Sequence, residues 1–226
     1  MSRFSKGAAL CALLLLMASV ASADSLVGLS SSGSLSDQFN WSQLGGDGTV
    51  LNQTFGVTSN LGLAGAVGLQ GPNSIVAVQC PAASCSWTGN FNAGDSLVWT
   101  SDGNGQNNGP LAMGFGSGVN GVGAFIQEDI PGQFTARISI YSGATLLGSY
   151  SVTSDGAGDV VYVGLEDLSG YNITSAVFDL TNCAGFDCSV NDFAIDGVEV
   201  NTPEPGSLAL LGSGLVGLAG IIRRRL

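Results

Sequence analysis

Short runs of alternating apolar and polar residues, bounded by clusters of Gly, Asn, Asp and Ser, make up the middle of this chain. The clearest run is 133–142, whose apolar residues fall at every second position: Phe134, Ala136, Ile138 and Ile140. Successive side chains of a strand point to opposite faces, so this alternation predicts a half-buried strand. No stretch of the middle has a helical period, and the chain contains 35 glycines. Both observations favour an all-β fold.

Other short runs predict further strands. They are Thr49–Thr58, Ser74–Gln79, Ser96–Thr100, Leu111–Phe115, Gly121–Gln127, Thr145–Thr153, Val160–Leu165, Thr174–Leu180 and Phe193–Val200. Asp155-Gly156 and Asn60 predict turns. Residues 24–200 are enough to bury one core. We therefore expect one antiparallel β-sandwich over residues 24–200.

The N-terminus has the three parts of a secretory signal peptide. Arg3 and Lys6 precede an apolar stretch from Ala8 to Val20, and Ala21-Ser22-Ala23 follows. A small-residue A-x-A site after an apolar core is typical of cleavage by signal peptidase. We expect cleavage between Ala23 and Asp24, with residues 1–23 as the signal peptide.

The C-terminus also has three ordered parts, which are Pro203-Glu204-Pro205, an apolar run from Leu208 to Ile222, and Arg223-Arg224-Arg225. As a helix the apolar run spans about 22 Å, short of the ~30 Å hydrocarbon core of a bilayer. The arginines should stay on the cytoplasmic side by the positive-inside rule. The run predicts a transmembrane helix of minimal length.

This ending resembles the PEP-CTERM sorting signal of exported bacterial proteins, on which exosortases act. Pro203, Glu204 and Pro205 match the motif, and Arg223, Arg224 and Arg225 match the basic tail. The resemblance assigns residues 201–226 to the sorting signal. It implies a precursor anchored in the inner membrane and a product in the cell envelope, on the surface or outside the cell. An ordinary single-pass anchor stays open as the alternative.

Once both ends are removed, the exported part is strongly acidic. Of the six basic residues only Arg137 remains, and of the 17 acidic residues only Glu204 is lost, which leaves 16 acids and a net charge of −15. Phosphate contacts need Lys and Arg, so this charge excludes nucleic acid as a partner. It also keeps the domain soluble by self-repulsion.

Most catalytic centres cannot be built from these residues. The chain has no His, and its one Lys lies in the signal peptide. A Ser-His-Asp, Cys-His or Ser-Lys centre is therefore excluded, as is histidine-ligated zinc. A carboxylate pair of glycosidase type remains, and the adjacent acid pairs are Glu128-Asp129 and Glu166-Asp167. Neighbours on a strand point to opposite faces, so we predict solvated acids and no enzyme.

Four cysteines remain after processing, in two runs with the same spacing, and they are Cys80, Cys85, Cys183 and Cys188. An even number in an exported protein argues for disulfides. Three connectivities exist, and we favour the local pairs 80–85 and 183–188 because each closes a small loop. A four-cysteine metal site is the alternative.

The second half of the chain resembles jelly-roll domains of exported bacterial proteins, which include carbohydrate-binding modules. The residues that carry the resemblance are Gly121–Ile126, Phe134–Ile140 and Asp192–Val200. The resemblance implies a jelly-roll-like sandwich and identifies no binding residue.

No cofactor is predicted, and a structural calcium is left open without named ligands. Asp102-Gly103-Asn104 begins like a calcium loop, but Asn107 and Met113 stand where that loop needs Gly and Glu.

A carbohydrate site usually presents exposed aromatic rings. We expect Trp99 in the core, Trp87 packed on the 80–85 disulfide, and Trp41 as the most exposed of the three.

Together these patterns predict an exported, non-enzymatic protein with a structural or adhesive role in a polysaccharide-rich matrix. Two alternatives remain, a dedicated carbohydrate-binding module and a carboxylate-based glycosidase. The expected partners are signal peptidase, an exosortase, the membrane through the C-terminal segment, and extracellular polysaccharide.

Overall fold

The computed structural model is a β-sandwich of two antiparallel sheets. It describes residues 26–69, the backbone of 75–79, and residues 87, 89–101, 108–185 and 188–203. The expected signal peptide (1–23), the Cys80–Cys85 run, the Asp102–Asn107 loop and the tail from Glu204 onward lie outside the described residues.

Sheet A contains nine of the described strands. They are β1 (Leu26–Leu29), β2 (Asp37–Phe39), β3 (Thr49–Leu51), β6 (Ile75–Gln79), β7 (Ser96–Trp99), β9 (Gly121–Glu128), β12 (Val161–Asp167), β14 (Phe193–Ile195) and β15 (Val198–Asn201). The main path runs β1-β12-β9-β14-β7-β6-β3, and β15 pairs with both β9 and β2.

Sheet B contains six of the described strands, in the order β11-β10-β13-β8-β5-β4. They are β4 (Thr54–Thr58), β5 (Ala64–Leu69), β8 (Leu111–Val119), β10 (Phe134–Ser142), β11 (Thr145–Thr153) and β13 (Ile173–Cys183). A short 3₁₀ helix, Trp41–Leu44, precedes β3. The Asn40 side chain caps it by accepting a hydrogen bond from the Ser42 amide.

The core lies between the sheets and is built from the inward side of each alternating strand. The run predicted around residues 133–142 is β10, and its four expected inward residues are all buried. They face the inward residues of β9, which are Val122, Ala124 and Ile126. Burial of apolar side chains between two facing sheets supplies most of the stability of a sandwich.

The predicted run Thr49–Thr58 is divided between the sheets, because β3 pairs with β6 in sheet A and β4 pairs with β5 in sheet B. The predicted run Phe193–Val200 is broken at Asp196-Gly197. Before the break β14 pairs with β7, and after it β15 pairs with β2. A Cβ at Gly197 would lie 2.7 Å from the Phe39 carbonyl oxygen, so the chain needs glycine where it passes from β14 to β15.

Strands β1, β2 and β5 were not predicted. β5 has the sequence AGAVGL, in which two glycines and two alanines remove the β-branched and aromatic signal of a strand.

Among the described residues no helix is both long enough and apolar enough to cross a membrane. The expected transmembrane run Leu208–Ile222 lies beyond them.

Truncation of Ile138 tests the sandwich core. We expect Ile138→Ala to lower the free energy of unfolding by about 2–5 kcal/mol, because it leaves a cavity between the sheets. Urea unfolding measures the loss. Ser151→Ala, on the exposed side of the neighbouring strand, should change it by no more than about 0.5 kcal/mol. Equal effects of the two changes would contradict this core.

Candidate functional site

One end of the sandwich holds a buried acid. Glu128 is the last residue of β9, and only 4% of its surface is exposed. Its Oε2 accepts a hydrogen bond from the Ile130 amide at 2.7 Å. Its Oε1 is buried and makes no hydrogen bond within the described part of the chain. A buried carboxyl oxygen without a partner is costly, so this position needs an explanation.

The Cys183–Cys188 disulfide lies next to this acid. It joins the last residue of β13 to the loop that leads into β14, with a Cα–Cα distance of 6.1 Å. A carboxylate oxygen of Glu128 and the two sulfurs all lie within 4.8 Å of one another. The local pairing expected for the second cysteine run is therefore present.

Three acids influence one another at this end. Burial raises the pKa of Glu128 to about 7, and the negative charges of Asp129 and Asp192 also raise it. The backbone amides of Ile130 and Ser189 lower this pKa in part. Burial also raises the pKa of Asp192 to about 6, although the Trp99 indole donates to it at 2.6 Å. Burial raises the pKa of Asp129 as well. We call Glu128, Asp129 and Asp192 the acidic end.

The acidic end is not arranged as a cation site. Within the described ranges, no three carboxylate oxygens from different residues come within 4.8 Å of one another. The sulfurs beside Glu128 are bonded to each other, and metals bind the thiolate form.

A pocket of about 250 Å³ opens beside the acidic end, between residues 89–90 and 157–159. Gln127 fixes its walls, because its side chain accepts from the Trp87 indole and donates to the Gly158 carbonyl. The same amide oxygen accepts from the Asn90 backbone. No sequence pattern points to Gln127, since a lone Gln on a strand is ordinary. The predicted Asp155-Gly156 turn is formed, and Asp155 Oδ1 accepts from the three amides of residues 157–159.

The two acid pairs singled out in the sequence lie far apart. Glu166 pairs with Gly121 at the start of β9, whereas Glu128 ends that strand, which separates them by about 23 Å along β9. Asp167 is buried, and its pKa is lowered because hydrogen bonds from Ser169 and Asn172 outweigh the effect of burial. The two pairs therefore do not share a cleft, and the expectation that their acids are solvated is wrong for Glu128 and Asp167, which are buried.

The expected exposure of the tryptophans is wrong in one case. Trp41 is 1% exposed, and its indole donates to the Ile195 carbonyl at 3.1 Å, because the 3₁₀ helix turns the ring inward. Trp87 is also buried, with its ring edge-on to Trp99. Trp99 is half-buried, and the 80–85 disulfide expected beneath Trp87 lies outside the described residues. Among the other candidates, Tyr171 is 44% exposed and Tyr141 and Tyr150 are half-buried.

The outer face of sheet B has few side chains. Its strands β4, β5, β8 and β13 form a shallow groove of about 530 Å³. Outward residues that line it are Thr54, Gly56, Ala66, Gly68, Ala112, Gly114, Ser175 and Val177. We call these residues the glycine face. None of them is ionisable, and the nearby Arg137 is paired with Asp179 through both carboxylate oxygens.

Packing among the residues that the structure describes does not require the glycines of this face. Within that part of the chain, a Cβ at Gly56, Gly68 or Gly114 would meet no atom nearer than 3.8 Å. Glycine within a strand costs about 0.5–1 kcal/mol relative to alanine. Glycine within a strand is often found where another group approaches the backbone closely, and these three leave room for such an approach.

Comparison with known proteins identifies the tail. The family model of the PEP-CTERM protein-sorting motif matches residues 201–225. The motif implies an exported protein with a membrane-anchored precursor that an exosortase processes. Of its predicted residues the structure describes Pro203, while Glu204, Pro205 and the three arginines lie outside the described part.

A search of curated protein sequences gives no match. Among solved structures, a DUF4465 family protein from Bacteroides ovatus is similar at 12% identity and a TM-score of 0.29. The match covers 79% of this chain and 99% of that one. At this TM-score the likeness carries no argument about fold or function.

The raised pKa of Glu128 predicts a pH-dependent stability. The folded value of about 7 lies above the ordinary value of 4.5, so the folded state holds this proton more tightly. The resulting stabilisation is complete below pH 4.5 and is lost as the pH rises to 7. We expect thermal denaturation to show a midpoint about 5 °C lower at pH 8 than at pH 5.

Glu128→Gln should remove part of that fall, because the amide does not titrate. Glu166→Gln removes the same charge at the other end of β9 and should leave the wild-type pH dependence in place. Identical pH profiles for the two variants would contradict the assignment to Glu128.

Proposed function

We propose that this protein is a non-enzymatic structural or adhesive component of a polysaccharide-rich extracellular matrix. The observation that carries the proposal is the glycine face, where glycines that the fold does not need leave the strands open to close approach. The PEP-CTERM motif supports delivery to the outside of the cell.

The charge of the domain favours a neutral polymer as the occupant of the glycine face. The exported part carries 16 acids and one base, so two copies repel each other and anionic polymers are repelled as well. The face itself is lined by small apolar residues and by the hydroxyls of Thr54 and Ser175. A flat, uncharged sugar chain can lay its C–H faces on such a surface and hydrogen-bond at its edges.

Weak, repeated contact fits this face better than a dedicated carbohydrate-binding module does. Such a module would stack sugars on a row of exposed rings, and the tryptophans that the structure describes are buried or half-buried. Many copies along one polymer would give useful avidity from weak single contacts.

The glycosidase alternative needs two carboxyls that converge in an open cleft, about 5–9 Å apart. Glu128 has the raised pKa of a general acid, but it is 4% exposed and lies against the disulfide. This burial supports the non-enzymatic proposal.

Filling the groove tests the adhesive face. Gly114→Leu places a side chain where a Cβ meets nothing nearer than 4.0 Å, so we expect normal folding. Retention on insoluble neutral polysaccharides should fall by about tenfold, which corresponds to about 1.4 kcal/mol. Co-sedimentation with cellulose, chitin and a neutral glucan measures it.

Gly156→Leu is the matched control. Gly156 also has no atom within 4 Å of an added Cβ, and it follows β11, at the opposite edge of sheet B from β4. It should bind like wild type. If wild type binds none of the polymers, or if Gly114→Leu binds as well as Gly156→Leu, the proposed face is wrong.

The sorting motif is tested in the native host. Glu204→Gln should leave the protein in the membrane fraction, because the central residue of the motif is changed while the apolar run and arginines remain. Fractionation and immunoblotting compare it with Glu166→Gln, which should reach the same compartment as wild type. Normal release of the Glu204 variant would contradict exosortase sorting through this motif.

A further inference from the structure

We propose that Glu128 and the Cys183–Cys188 disulfide form a thiol–disulfide exchange site, in which the Glu128 carboxyl supplies the proton to the sulfur that leaves when an external dithiol opens the bond. The site is independent of the glycine face. It concerns a redox reaction at the acidic end rather than adhesion.

The first argument is the placement of the acid. Glu128 is nearly completely buried, Oε1 makes no hydrogen bond among the described residues, and a carboxylate oxygen lies within 4.8 Å of both sulfurs. By contrast, the buried Asp167 uses both carboxylate oxygens, which accept hydrogen bonds from Ser169 and Asn172.

The second argument is access. Cys183 and Cys188 are each only partly buried, so a small dithiol reaches sulfur atoms that the carboxyl of Glu128 approaches from inside the sandwich. The bond closes the loop between β13 of sheet B and β14 of sheet A. The Cys188 side of the bond leads into the segment that carries Asp192, whose carboxylate accepts a hydrogen bond from the Trp99 indole.

The chemistry balances with a dithiol as the reductant. Its thiolate forms a bond to one protein sulfur, the Cys183–Cys188 bond breaks, and the electron pair stays on the other sulfur, which takes the proton of Glu128. The second thiol of the reductant then loses its proton to water and attacks the reductant sulfur of the mixed disulfide. The released second cysteine takes a proton from water. The dithiol is oxidised to a disulfide, the protein disulfide is reduced to two thiols, and Glu128 regains its proton from solvent.

The charges around Glu128 set the pH range of this reaction. Asp129 and Asp192 face it from the end of β9 and from the start of β14, and the Ile130 and Ser189 amides act against them. The domain's one base, Arg137, is held by Asp179 on the outer face of sheet B. Below about pH 7 the carboxyl is neutral and donates, whereas above it the carboxylate repels the developing thiolate.

Reduction kinetics test the site. The exported protein is treated with dithiothreitol from pH 5.5 to 8.5, free thiols are alkylated, and the Cys183 and Cys188 peptides are quantified by mass spectrometry after chymotryptic digestion. Rates are divided by the dithiothreitol thiolate concentration. In wild type we expect the corrected rate to fall about tenfold as the pH rises through 7.

Glu128→Gln should be about tenfold slower than wild type at pH 6 and should have a flat profile, because an amide supplies no proton. Asp129→Asn should move the midpoint to lower pH, since one repelling charge is removed. Glu166→Gln should behave as wild type. Urea unfolding of each variant with its disulfide intact shows that the fold is retained. Glu128→Asp is a second probe, whose corrected reduction rate should be lower than that of wild type but should still fall as the pH rises.

A flat wild-type profile, or a Glu128→Gln profile that keeps the wild-type step, would overturn the proposal. If Glu128→Gln does not fold, loss of the pH step in Glu128→Asp would overturn it as well.

Discussion

Strand β9 is the element on which the rest of this sandwich depends. It pairs with β12 along one edge and with β14 and then β15 along the other, so three later strands of the chain are aligned on it. Its inward side supplies Val122, Ala124 and Ile126 to the core. Its last two residues, Gln127 and Glu128, organise the pocket and the acidic end. A change in the register of β9 would therefore disturb the core and the candidate site together.

The sequence predicted strands well where one face of the strand is buried and the other is exposed to solvent. β10 shows this, since Phe134 and Ile138 face the core while Thr135 and Arg137 face outward. It failed where the chain changes sheets without a strong turn signal, as between Leu51 and Thr54, because local pattern does not encode the partner of a strand. It also missed β5, whose two glycines and two alanines give little strand signal. Ala66 and Gly68 face outward, whereas Gly65 faces the core.

The candidate sites were less predictable than the fold, because both depend on contacts distant in sequence. Glu128 was recognised as one of an acid pair, but its neighbours in the fold are distant in sequence. Cys183, at the end of β13, follows it by 55 residues, and Cys188 lies in the next loop. The glycine face likewise needs β4, β5 and β8 side by side before Gly56, Gly68 and Gly114 become neighbours. The sorting motif was predicted correctly, since the PEP-CTERM motif is contiguous and needs no fold.

The most direct test of the account is the intact mass of the protein recovered from cells and from the extracellular matrix. We expect the matrix form to begin at Asp24, to carry two disulfides, and to lack the residues that follow the Pro203–Pro205 motif. A matrix form that still ends in Arg223–Arg225 and Leu226 would contradict sorting by exosortase, and absence of the protein from the matrix would contradict its proposed role there.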